Sequence, residues 1–209
     1  GLGYIAPSGD KAVLEKLMRC IRTESDQVVK GFALLSMGMI GGKGAAAYLD
    51  QEMRKGSRAC CAWACLGLGF ALQQEQNPRY ESHLIRQTAT HANRSVRSAA
   101  AIALGLMKSA KAVAPLMHQL EKGDDPFYRG YCAVALGMIN DPAALDLLRS
   151  RVAKKSREVL VVKAQAAMAL ALFHDRTSVP DRSDPMSTSH NDNTKDIKTP
   201  TKRHRRDPA

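Results

Sequence analysis

The sequence has no run of about 20 uninterrupted apolar residues, the length a membrane-spanning helix needs. Residues 1–7 have neither a basic start nor a long apolar stretch, so no secretory signal is read there and a cytoplasmic location is expected. Aromatic residues make up only 5% of the 209 residues, with a single Trp. Cysteine is scarce and odd in number, five without regular spacing, which excludes a disulfide framework and fits a reducing compartment. Negative charge is short: 20 acidic residues stand against 31 Lys and Arg, a net charge of +11. That balance favours acidic partners and is silent about the fold.

The motifs of common enzyme chemistries are missing too. There is no Gly-x-Ser-x-Gly, no Gly-x4-Gly-Lys-Ser/Thr and no helix with paired carboxylates. Gly41-Gly42-Lys43-Gly44 has no preceding strand and no Ser or Thr after the lysine, so an inter-helix turn explains it better than a phosphate loop. The six histidines (His83, His91, His118, His174, His190, His204) show neither His-x3-His nor Glu-x2-His spacing. Cys61 and Cys65 are four apart and share a helix face, but no further ligand follows at zinc spacing. No catalytic residue, cofactor or metal site is therefore expected, and the chain reads as a non-enzyme.

What is present divides near residue 180. A 44% hydrophobic content is too high for a wholly disordered chain. Residues 181–209, however, contain only Met186, Ile197 and Ala209 as aliphatic or sulfur-bearing apolar residues, and are expected to form a disordered tail. The tail holds seven basic and five acidic residues, including Lys202-Arg203-His204-Arg205-Arg206. The other 24 basic and 15 acidic residues lie in residues 1–180, the expected folded body.

The body is an internal repeat. Segments 29–40, 58–69, 96–107, 128–139 and 162–173 align without gaps on a reference column of Gly38, Gly67, Gly105, Gly137 and Ala171. The residue before it is Met or Leu in all five. Two positions before it stand Ser36, Cys65, Ala103, Ala135 and Ala169, and five before it Ala33, Ala62, Ala100, Cys132 and Ala166. Seven before it are Gly31, Cys60, Ser98, Gly130 and Ala164. Small residues three apart share a helix face and let another backbone approach closely. Each segment has one charge, always basic and at its start, and is otherwise apolar nearly all round, the pattern of a helix buried on most sides. Trp63 lies within such a segment and is read as core.

After each segment a turn leads to a second, amphipathic helix, as in Ala45, Ala46, Leu49 and Met53, or Ala112, Val113, Leu116 and Leu120. Asp26, Ser57, Asn77-Pro78, Ser95, Asp125-Pro126 and Asp141-Pro142 are the expected helix starts. Leu2-Gly3-Tyr4-Ile5 repeats Leu136-Gly137-Met138-Ile139, so the chain is read as beginning inside a repeat. Its first amphipathic helix, with Ala12, Val13, Leu14 and Leu17, is then expected to leave an apolar face exposed.

Helix pairs spaced 29–38 residues apart, with Arg/Lys-x2-Ala-x3-Leu-Gly-Leu/Met-Ile followed by an Ala-Val-x2-Leu run, resemble HEAT repeats. They are most similar to the short type named after phycobilisome lyases. The resemblance covers residues 1–180 and implies an all-α, right-handed α-solenoid of about five helix pairs. It implies a non-catalytic scaffold or assembly factor that binds protein partners. It also leaves open a bilin-lyase-like activity, though no polar chromophore pocket is visible in the sequence.

Charge supplies the remaining candidates. Arg149, Arg151, Lys154, Lys155 and Arg157 are the densest basic group, and Arg79, Arg86, Arg94 and Arg97 a second. Arg86, Arg149, Arg151, Lys154 and Lys155 are the expected partner-binding residues, on second helices along the inner curve of a solenoid. Their partner would be an acidic protein, with nucleic acid as the rival reading through the strip and tail.

Overall fold

The spacing of apolar residues becomes alternating helix pairs. A computed structural model describes residues 9–73, 77–153 and 156–177, all within one unit, Gly1–Ser178. The first helices are α2 (Gln27–Ile40), α4 (Arg58–Ala71), α6 (Arg94–Leu106), α8 (Pro126–Ile139) and α10 (Leu160–Thr177). The second helices are α1 (Lys11–Thr23), α3 (Lys43–Lys55), α5 (Pro78–Thr90), α7 (Val113–Lys122) and α9 (Leu145–Val152). Among the described residues there is no strand. Each first helix packs on the next first helix and on the second helix that precedes it in the chain, which defines an all-α solenoid. The expected tail lies outside the described residues.

Caps start most helices where the sequence places them. Asp26, Ser57, Asn77 and Asp125 each accept a backbone N–H from the first turn that follows. Two starts differ. Ser95 lies inside α6, and Asn93 is the cap, accepting from the Ser95 N–H at 2.8 Å. Asp141 caps a 3-10 turn, Pro142–Ala144, which then hands over to α9. Gly41 and Gly42 have φ of 72° and 86°, a backbone that favours glycine, and they turn the chain from α2 into α3.

The small-residue columns are where first helices meet. A Cβ built on Gly137 would lie 2.6 Å from the Ala169 Cα, and one on Gly105 would lie 3.0 Å from the Ala135 Cα. Glycine of one helix thus faces the alanine two before the reference position of the next. A Cβ on Gly38 would overlap the Gly67 carbonyl oxygen. At the α4–α6 contact the register slips by two: Gly69, not Gly67, faces Ala103, at 2.6 Å from its Cα. In α10 the reference residue is Ala171, which is exposed, and no later first helix lies among the described residues.

The core runs through all the repeats, with Leu34, Leu49, Leu68, Leu84, Leu104, Leu116, Leu136 and Leu148 fully buried. Burying each such side chain stabilises by roughly 1.5–3 kcal/mol. The apolar side of α1 was expected to be exposed, yet Leu14, Leu17 and Ile21 are buried. They pack against α2, in the same way that each later second helix packs on the first helix that follows it.

Contacts between repeats are also polar, and they join like ends of successive first helices. The Ser57 hydroxyl donates to Gln27 Oε1 at 3.1 Å. Arg94 pairs with Asp125 at 2.7 Å and Arg97 with Asp124 at 3.1 Å. Arg129 pairs with Glu158 and donates from Nε to the Leu120 carbonyl at 2.9 Å. With these contacts near the N-terminal ends and the glycine contacts nearer the C-terminal ends, the first helices run parallel.

Second helices are tied in the same manner. Asp50 on α3 is buried and binds Arg54 and, on α5, His83 Nδ1, both at 2.7 Å. Glu81 on α5 accepts from the Ser109 hydroxyl at 2.6 Å and from Lys111 at 3.0 Å, both ahead of α7. Glu121 on α7 meets Arg151 on α9 at 3.8 Å. Six carboxylates, Asp50, Glu81, Glu121, Asp124, Asp125 and Glu158, thus bridge between helices along the stack.

Candidate functional site

First helices that are apolar nearly all round cannot hide every side chain in a two-layer stack. They were expected to be buried on most sides. Instead Phe32 is 60% and Phe127 55% exposed, and Tyr131 and Met168 are exposed as well. The solenoid covers the sides of a first helix and its inward face, and leaves the outward face open.

Between α4 and α8, across the outward face of α6, lies an open groove of about 900 Å³. Its floor is small: Ser95, Ser98 and Ala99 of α6. One wall is Trp63 with Ala62 and Leu66 of α4, and the other is Phe127 and Tyr131 of α8. Trp63 was read as core and is instead half-buried, lining this wall. Its position is fixed from behind. A Cβ on Gly31 would lie 2.5 Å from the indole, and Phe32 stacks at a tilt with ring centroids 5.9 Å apart. The groove arises because α6 carries Ser95 and Ala99 where α8 carries Phe127 and Tyr131.

One end of the groove is cationic. Arg58 and Arg94 are the first residues of α4 and α6. Arg94 is held in place by Asp125 and lies over the Phe127 ring, 5.8 Å from its centroid. Partial burial pushes the Asp125 carboxyl up, but hydrogen bonds from Arg94 and the Tyr128 amide, with the Arg94 charge, outweigh it and hold the carboxyl below its usual value. Both residues of the pair therefore stay ionised at neutral pH, and the rim geometry persists.

The basic residues singled out in the sequence are placed differently. Arg86 is exposed on α5, while Arg149 and Arg151 lie on α9. Arg149 reaches Asp146 at 3.4 Å, and Arg151 reaches both Glu121 and, at 3.5 Å, Glu158. Lys154 and Lys155 lie outside the described residues. The structure brings Arg149 and Arg151 onto one helix and leaves Arg86 two second helices away.

The cysteines serve packing. Cys65 and Cys132 are fully buried in the small-residue columns. Burial pushes the thiol of Cys61 up, that of Cys132 to about 12, and that of Cys65 higher still. Cys60 and Cys61 point to different partners, Gln27 Oε1 at 3.6 Å and the Gly56 carbonyl at 3.3 Å. No group of three His, Cys, Asp or Glu among the described residues could hold a metal ion. Reaction of the folded protein with a thiol reagent is expected to modify Cys20 quickly, since it is only half-buried. The other four cysteines should react at the rate of unfolding, which mass spectrometry of timed samples would read.

Comparison with known proteins agrees with the repeat. Residues 81–171 match the family model described as HEAT repeats. The matched stretch runs from α5 into α10, and over it the chain is similar to HEAT repeats. No curated protein matches the sequence. Among solved structures it is similar to human deoxyhypusine hydroxylase in complex with glycerol. That similarity has 19% identity over 79% of this chain and 75% of the other, with a TM-score of 0.37. At that level it carries no argument about activity. No helix among the described residues is long and apolar enough to cross a membrane.

Proposed function

We propose that this chain is a non-catalytic scaffold whose protein partner docks in the groove between α4 and α8. The observation that carries the reading is the juxtaposition of Trp63, Phe127 and Tyr131 around a floor of small residues, open to solvent. Aromatic and arginine side chains are the residue types that dominate interface energies. The repeats are assigned to the short phycobilisome-lyase-like type on their 29–38 residue spacing, and a cytoplasmic setting on five free cysteines. Arg86, Arg149 and Arg151 are a second candidate contact of lower weight, because Arg149 and Arg151 already have carboxylate partners, and Lys154 and Lys155 join them on the sequence alone.

A photo-crosslinking amino acid placed at Ser95 in the producing cell tests this. Ser95 is exposed and lines the groove. A discrete crosslinked protein is expected from Ser95 and not from Arg149 on the second-helix side. A discrete adduct from Arg149 alone would move the contact to the basic strip and overturn the groove reading.

A further inference from the structure

The groove is electrically one-sided. Thirteen residues line it, two of them cationic and none acidic. The cations, Arg58 and Arg94, stand at its one end, where α4 and α6 begin. Parallel helices that start on the same side add their positive N-terminal partial charges there. Arg58 is exposed and has no ion-pair partner among the described residues. Arg94 is splinted by Asp125 from outside the groove and by the Phe127 ring beneath it. Toward the opposite end the lining is aliphatic, with Leu66 and Ile102.

We propose that the groove binds a peptide segment of its protein partner in which an acidic residue lies within about four residues of an aromatic or aliphatic anchor. This rests on the scaffold reading above and adds the chemistry and polarity of the ligand. The spacing follows from geometry. Eight residues of helix separate Arg58 from Leu66, about 12 Å at 1.5 Å per residue. About four residues of extended chain span that length. The anchor sits between Trp63 and Tyr131 over Ala99. The carboxylate lies between Arg58 and Arg94, where a guanidinium offers paired donors to two carboxylate oxygens. A lysine at that place in the ligand would meet two cations and two helix N-termini.

The test uses the full chain and a random peptide library displayed on phage. Selected peptides are synthesised in three forms, with the acidic residue as found, as its amide, and as lysine. Binding is read from the emission of Trp63, the single tryptophan. The expected result is a shift in emission, affinity about tenfold lower for the amide form, and a greater loss for the lysine form. In Arg58→Glu the preference for acid over amide should vanish, with the melting temperature checked in parallel. Arg58 is the variant of choice because, unlike Arg94, it supports no cap. Equal binding of all three forms overturns the proposed chemistry and leaves the scaffold reading standing. Acid preference that survives in Arg58→Glu overturns it as well, because it then comes from the net charge of +11. Peptides that bind without moving Trp63 emission, together with no adduct at Ser95, overturn both.

Discussion

Gly137→Val is expected to destabilise the protein by about 3 kcal/mol, the upper end of the usual cost of forcing bulk into a packed core. The added Cβ alone would stand 2.6 Å from the Ala169 Cα and 2.8 Å from its Cβ. Neither neighbour is a flexible side-chain end, so α8 and α10 must move apart along their whole contact. Ala135→Leu should act likewise at the α6–α8 contact, since Ala135 is fully buried against Gly105. Gly44→Ala is the control: a Cβ there meets nothing within 4 Å, and the change should be neutral or slightly stabilising. Because each repeat contacts only its neighbours, the loss in Gly137→Val should not spread evenly. Hydrogen exchange should quicken most in α9 and α10, before the repeats around α4. A uniform loss across the chain would mean that the array unfolds as one unit.

The column containing Gly137 was legible because close helix approach leaves the same residue signature in every repeat. Gly38, Gly105 and Gly137 occupy it, and their backbones are in contact with the next helix. The slip to Gly69 was not legible. Both Gly67 and Gly69 are present, and Gly38 already meets Gly67 rather than Cys65, so α4 as a whole is displaced by two positions. The amphipathic second helices were legible for a similar reason, since Leu49, Leu116 and Leu148 recur at the same helical phase.

The groove was hidden because it is a difference between repeats rather than a shared feature. Aligning α6 with α8 puts Ser95 and Ala99 opposite Phe127 and Tyr131, a contrast that averaging over columns erases. Outward positions are set by what lies outside the stack, so they vary where inner columns do not. Tallying charge likewise pointed at Arg149 and Arg151 without showing their partners. Glu121 and Glu158 are distant or separated by a turn in sequence, and only the stacking of α7, α9 and α10 brings them near. Asp50 and His83, 33 residues apart, are another such pair.

Glu158→Ala is the other change expected to cost most, about 3 kcal/mol. The Glu158 side chain is 6% exposed and draws together Arg129 of α8 and Arg151 of α9. Removing one partner of a buried ion pair strands the other charge, at a typical cost of 3–5 kcal/mol. The lower end applies because both guanidiniums keep an edge in water and Arg129 retains the Leu120 carbonyl. Arg129→Met combined with Glu158→Leu should recover part of the loss, because the Arg129 charge is gone and Arg151 still has Glu121. Denaturant unfolding of Arg129→Met, Glu158→Leu and the double would give the coupling directly. A Glu158→Ala loss below about 1 kcal/mol would place the pair with solvent-exposed bridges. The outcome also bears on how partner binding is measured. Arg151 has an Nε with no hydrogen-bond partner and two carboxylates at its other nitrogens, so its replacement disturbs the α7–α9–α10 packing itself. Loss of a partner in an Arg151 variant is then a stability effect until the melting temperature shows otherwise, whereas Arg58 and Ser95 report on the groove without that complication.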